Sequence, residues 1–254
     1  MRIVIKIGTS TLAHPTGHLN IRLVEQLCKV VSDIKNAGHQ VILVSSGAIG
    51  MGVGKLGLRQ RPADIPTKQA AAAVGQCELM YTYDKLFGEY NHTVGQLLIT
   101  GEDVKNPIRH QNFRNTLNRL LALDAIPILN ENDTVATEEI VIGDNDTLAA
   151  MVAESVEAQL LILLSDIEGL YTADPHKDPN ATLISYIEKI DDKIRALGGG
   201  SASRQGTGGM VTKIRAAEIA TAAGCDMVIA NGKNPNYLYD ILDGKSVGTR
   251  FARR

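Results

Sequence analysis

Short apolar runs recur along this chain, and most of them are followed by longer stretches whose apolar positions repeat with helical period. Parallel strands need a long crossover between them, usually a helix, so this alternation confines the chain to an α/β fold around a mostly parallel sheet. The candidate strands are Ile3 to Ile7, Val41 to Val44, Val94 to Ile99, Ile126 to Leu129, Leu160 to Leu164 and Met227 to Ala230. Between the first two, Ile21, Val24, Leu27, Cys28, Val31 and Ile34 fall at helical spacing, with Asn20 placed to cap the helix and Gly38 to stop it. Further helices are expected over residues 68–88, 111–124, 146–158 and 210–223, the last ended by Gly224. No repeat, low-complexity tract or Pro/Ser-rich linker interrupts the 254 residues, which predicts a single domain, 1–254, with two lobes.

Composition removes several function classes. Lys and Arg total 26 against 28 Asp and Glu, so no global field draws the chain to nucleic acid or an anionic membrane, and any anion site must be local. The absence of Trp and the presence of only 3 Phe leave little for a base-stacking surface. Cys28, Cys77 and Cys225 lie far apart, which argues against a disulfide framework or thiolate metal site and fits a reducing cytoplasm. Neither a signal segment nor a membrane-length apolar run occurs, so a cytoplasmic protein is expected. His14 and His18 have the spacing of a helical metal pair, but Pro15 and Gly17 between them make them loop residues. No metal site is expected.

In an open parallel sheet, ligands collect beyond the carboxyl ends of the strands. Gly8-Thr9-Ser10 follows the first run, Ser45-Ser46-Gly47-Ala48 the second, Asn130-Glu131-Asn132-Asp133 the fourth and Ser165-Asp166 the fifth. Each alone reads as ordinary turn chemistry; together at one sheet edge they outline a composite site. Lys6 sits inside an apolar strand, where an ammonium must be paired, face a ligand or snorkel from the strand end. Gly206-Thr207-Gly208-Gly209-Met210-Val211-Thr212-Lys213 runs a glycine-rich turn into a helix carrying a lysine, a combination suited to polyphosphate and equally to a surface turn. Asp144-Asn145-Asp146 opens another helix; one side chain suffices as a cap, so a spare carboxylate is free to orient Lys6 or Lys213. There is no P-loop, no dinucleotide fingerprint after the first strand, and no protein-kinase or serine-hydrolase motif.

Lys6-Ile-Gly-Thr-Ser10, Val44-Ser-Ser-Gly-Ala-Ile49, Asn130-Glu-Asn-Asp-Thr-Val135, Gly143-Asp-Asn-Asp146, Leu170-Tyr-Thr-Ala-Asp-Pro175 and Thr207-Gly-Gly-Met-Val-Thr-Lys213 together resemble the glutamate 5-kinases of the amino acid kinase family. The blocks occur in order over essentially the whole chain. The resemblance implies a three-layer αβα sandwich and ATP-dependent phosphorylation of the glutamate side-chain carboxylate, the first step of proline synthesis. It implies an N-terminal lobe, about 1–150, for glutamate and oligomerisation, and a C-terminal lobe, about 151–254, for ATP. Lys6, Lys213 and Asp146 would be catalytic, and Ser46, Asp133 and Asn145 would bind glutamate. Lys6, Ser165, Asp166 and the loop Thr207, Gly208, Gly209, Met210, Val211, Thr212 and Lys213 would hold the nucleotide.

Mg²⁺ accompanying ATP, proline as feedback inhibitor, a homodimer or homotetramer, and contact with the reductase that consumes the acyl phosphate are further implications. Ser165 stands where the family usually has threonine, and Val211 where serine is common. The chain stops at Arg254, where many members continue into a PUA domain, so a short form without that domain is expected. The rival readings are a non-catalytic sensor of an amino acid or nucleotide on the same fold, and an RNA-binding regulator.

Overall fold

A computed structural model describes residues 1–14, 16–135, 145–175, 177–199 and 209–254. The first strand, β1 (Arg2–Ile7), is followed by a short helix α1 (Thr9–Leu12) and the long α2 (Ile21–Asn36). Asn20 accepts a hydrogen bond from the Leu23 N–H at the start of α2, and Gly38, at φ +92, turns the chain at its end into β2 (Gln40–Ser45). Next come α3 (Ala48–Lys55), α4 (Ile65–Gly88), β3 (Val94–Ile99), α5 (Gly101–Lys105), α6 (Pro107–Ala122) and β4 (Ile126–Glu131). The helix α7 (Asn145–Ser155) leads into β5 (Leu160–Ser165), β6 (Tyr186–Ile187) and α8 (Asp192–Gly198). The chain closes with α9 (Met210–Ala222), β7 (Asp226–Asn231), α10 (Tyr237–Leu242) and β8 (Thr249–Phe251).

Among the described residues these strands form one sheet in the order β3-β4-β2-β1-β5-β7-β8-β6. Every pairing is parallel except β7 with β8. In register, Lys6 of β1 lies beside Val44 of β2 and Leu163 of β5. Alternation along β1 sends Ile3, Ile5 and Ile7 into a core with α2, α4 and α10, while Val4 faces a second core with α6, α7 and α9. Both faces of the sheet are therefore covered, giving an αβα sandwich. β5 is buried at every position, as a central strand covered on both sides should be.

Several boundaries move from those expected. The fourth helix begins at Ile65, not residue 68, because Asp64 accepts from the Thr67 N–H and proline occupies the first turn. The sixth begins at Pro107, not residue 111, on an Asn106 cap. It ends at Ala122 and α7 ends at Ser155, both short of expectation.

The helices α3 and α4 approach unusually closely. A Cβ on Gly52 would lie 1.8 Å from the Ala71 carbonyl oxygen, and one on Gly75 1.7 Å from that of Ala48. The glycines are there to let backbone touch backbone. All three cysteines are free; Cys28 and Cys225 are buried and Cys77 is exposed on α4. No described helix is long and apolar enough to cross a membrane.

Candidate active site

Because β1, β2, β4, β5 and β7 run parallel, their carboxyl ends share one edge, and the polar clusters read from the sequence meet there. Lys6 stands one residue before the end of β1, on the face that α7 and α9 cover. Only 6% of it is exposed, and its Nζ lies 2.6 Å from Asp146 Oδ1. Lys213, in the first turns of α9, brings its Nζ to 2.9 Å from Asp146 Oδ2. Asp146, in the first turn of α7, is fully buried and bridges the two ammonium groups. Burying these charges is tolerable only because they are paired, and the positive end of α7 also favours the carboxylate. The Thr212 hydroxyl, which donates to the Gly209 carbonyl at 2.8 Å, lies 3.3 Å from the same Oδ2.

Asn145, the preceding residue, points its amide elsewhere. Its Nδ2 lies 2.7 Å from the Ser45 carbonyl, 2.9 Å from Ser46 Oγ and 2.9 Å from Asn130 Oδ1, three acceptors sharing its two N–H groups. That ties the start of α7 to the ends of β2 and β4. Gly47, at φ +93, lets the chain turn from Ser46 straight into α3. Asp133 is half-buried in the turn beyond β4, which the Asn132 N–H anchors to the Ile99 carbonyl. Burial pushes its carboxyl above the ordinary value, and the nearby Arg61 charge opposes that shift.

On the other side of β1, the Gly8 N–H donates to the Leu164 carbonyl, fastening the first strand's loop to β5. A Cβ on Gly8 would approach that oxygen to 3.3 Å and Lys6 Nζ to 4.0 Å. Ser165 is buried at the end of β5 and donates to Asp166 Oδ1 at 3.0 Å, while Asp166 itself is exposed. Gly209 caps α9 without a side chain; Met210 is half-buried and Val211 is 57% exposed. Thr207 and Gly208, with the rest of the glycine loop before Gly209, lie outside the described residues, as does Asp144.

Four further polar residues at this edge escaped the sequence reading. Asn231, in register with Ser165, donates to Glu168 Oε1 at 2.7 Å. It is the polar residue ending an apolar strand, the same signal as at Ser45 and Asn130. Gln76 and Tyr83 reach the site from beneath on α4: Gln76 Oε1 accepts from Asn130 Nδ2 at 2.9 Å, and the Tyr83 hydroxyl lies 3.0 Å from Ser45 Oγ. A mid-helix glutamine carries no sequence signal for such a role. His14 and His18 lie in a tight turn, His14 N–H donating to the His18 carbonyl, and no cluster able to hold a metal occurs among the described residues.

The site thus has a cationic half around Asp146 and an amide-and-hydroxyl half around Asn145, joined through consecutive residues of one helical turn. The sequence signature of the amino acid kinase family matches residues 1–231. The glutamate 5-kinase of Clostridium tetani is 54% identical over 249 residues, covering 98% of this chain and 93% of that protein. That of Listeria welshimeri is 53% identical over 257 residues, with 100% and 93% covered. Among solved structures, the carbamate kinase from Giardia lamblia bound to AMP-PNP superposes with a TM-score of 0.70 at 17% identity, covering 100% of this chain and 98% of that one. The UMP kinase from Bacillus anthracis superposes at 0.68 with 15% identity, covering 99% and 95%. At such identities these two speak for the fold.

Proposed function

The chain belongs to the amino acid kinase family, and from that premise we propose that it transfers the γ-phosphoryl group of ATP to the side-chain carboxylate of L-glutamate, forming L-glutamate 5-phosphate, the first step of proline synthesis. The observation that carries this reading is the adjacency of Asn145 and Asp146. One turns to Ser46 and Asn130, the other to Lys6 and Lys213, so an amino acid and a polyphosphate would meet across a single turn of α7.

The chemistry needs no general base. A glutamate carboxylate, with an ordinary pKa near ~4.3, is already ionised at neutral pH. A carboxylate oxygen attacks the γ-phosphorus in line, the bond to the bridging oxygen breaks, and ADP leaves with the electron pair. The obstacle is repulsion between anions, which Lys6, Lys213 and the N–H groups opening α9 would offset as charge develops. Asp146 would hold the two lysines in place. Both its oxygens engage ammonium groups, so Mg²⁺ would arrive with ATP and bind through phosphate oxygens and water, which suits a cation that dehydrates reluctantly.

Ser46, Asp133 and Asn145 would recognise glutamate on the N-terminal lobe, about 1–150. Ser165, Asp166 and residues 207–213 would bind ATP on the C-terminal lobe, about 151–254. Proline shares the α-carboxylate and cationic amine, and would inhibit by competing for the same residues. A homodimer or homotetramer in the cytoplasm, handing its labile product to a reductase, completes the proposal. An ADP-release assay with glutamate, N-acetylglutamate, aspartate and carbamate tests the activity. Turnover with glutamate far above the others is expected, and preference for another acceptor would overturn it.

A further inference from the structure

We infer that Gln76, remote in sequence from every strand-end cluster, is a positioning residue that holds the amide network of the amino-acid pocket in its pose. The inference rests on the proposed glutamate site and deepens it. Gln76 is buried on α4 and its Oε1 accepts from Asn130 Nδ2. Asn130, 2% exposed, uses its Oδ1 twice, accepting from the Glu131 N–H and from Asn145 Nδ2, both at 2.9 Å. Asn145 Nδ2 also reaches the Ser45 carbonyl and Ser46 Oγ. Two backbone groups set the sense of the network: the Glu131 N–H can only donate, to Asn130 Oδ1, and the Ser45 carbonyl can only accept, from Asn145 Nδ2. Asn130 Nδ2 is thereby left facing α4, and the Gln76 oxygen is the acceptor that satisfies it and holds Asn130 in that pose.

The consequence falls on the substrate. With its nitrogen committed, Asn145 presents Oδ1 as the atom it has to offer, an acceptor suited to an ammonium group and wrong for a carboxylate. Ser46 Oγ, accepting from Asn145, keeps its proton to donate to a carboxylate. Reversal of the Asn130 amide would place two NH₂ groups face to face and break the Glu131 bond. The Gln76 acceptor weighs against that state, because without it the Asn130 nitrogen is buried with no partner from α4. Gln76 itself does not touch substrate. Its helix is held against the site at a second point seven residues on, where Tyr83 meets Ser45, and closely by Gly75 against Ala48.

The test compares Gln76→Met, which keeps the volume without the acceptor, with Gln76→Glu, which keeps an oxygen at the same reach; Gln76→Leu substitutes if the methionine variant does not fold. Steady-state kinetics on the whole chain should show the glutamate KM raised about tenfold in Gln76→Met, the cost of leaving the buried Asn130 nitrogen without the Gln76 acceptor. The ATP KM should stay within about twofold, and Gln76→Glu should restore glutamate KM to within about threefold of the unmodified chain. A merely structural role would move both KM values or kcat together. An unchanged glutamate KM in Gln76→Met, or a glutamate variant as impaired as the methionine one, overturns the inference. If the unmodified chain does not turn over glutamate, the proposed function fails first; if it does and Gln76→Met is indifferent, only the role of Gln76 falls.

Discussion

At Asp146 two ammonium groups from opposite ends of the chain converge on one carboxylate with no exposed surface. If Lys213 serves the transferring phosphoryl, its charge is aimed at density that grows in the transition state. Lys213→Ala should then lower kcat by about 10²-fold or more while raising the ATP KM little. A raised ATP KM with unchanged kcat would contradict that role. Asp133 yields a pH prediction. Burial raises its carboxyl pKa, so as pH falls it loses its charge before an ordinary aspartate does; if it receives the substrate ammonium as proposed, that attraction goes with it. Glutamate KM should therefore climb on acidification from neutrality, and in Asp133→Asn it should be high throughout and lose that pH dependence. Because ionised Asp133 is the disfavoured form in the fold, the same substitution should leave ligand-free stability at neutral pH unchanged or raised, as a thermal melt can read.

At the scale of elements, the packing of α3 on α4 depends on two positions where no side chain fits. Gly75→Ala places a methyl 1.7 Å from the Ala48 carbonyl and must part the helices. We expect a loss of about 1–3 kcal/mol or more in urea unfolding, and a glutamate KM raised more than the ATP KM, because only Gly47 separates Ser46 from the start of α3. This same glycine content hid α3 from the sequence. Gly50, Gly52 and Gly54 are poor helix formers, and packing accounts for two of them: Gly52 meets Ala71 of α4, and a Cβ on Gly54 would lie 2.9 Å from the Gly17 carbonyl oxygen. The strands β6 and β8 were equally illegible, being two and three residues long and defined by their pairing. The long apolar strands and α2 were legible because burial on two faces and helical period leave marks in a single sequence. Lys6 declared itself by its apolar setting, whereas Gln76 did not, since its burial follows from the pose of α4.

For the molecule as a whole, the sheet extends beyond the family's matched region, which ends at residue 231. β8 returns antiparallel to β7 and carries β6 on its far side, with Phe251 fully buried and Gly248, at φ +63, turning against the Ile229 carbonyl. Phe251→Ala should cost about 3–5 kcal/mol, seen as a lowered urea midpoint with the slope retained. The distribution of thiols gives the folded chain a single chemical address. Burial pushes the Cys28 thiol up and that of Cys225 to about 12, whereas Cys77 stands in water on α4 beside Gln76. A maleimide dye added to the native protein will settle at Cys77 alone, placing a fluorescent reporter one residue from the amide chain that runs to the pocket, without any cysteine having to be engineered in or out.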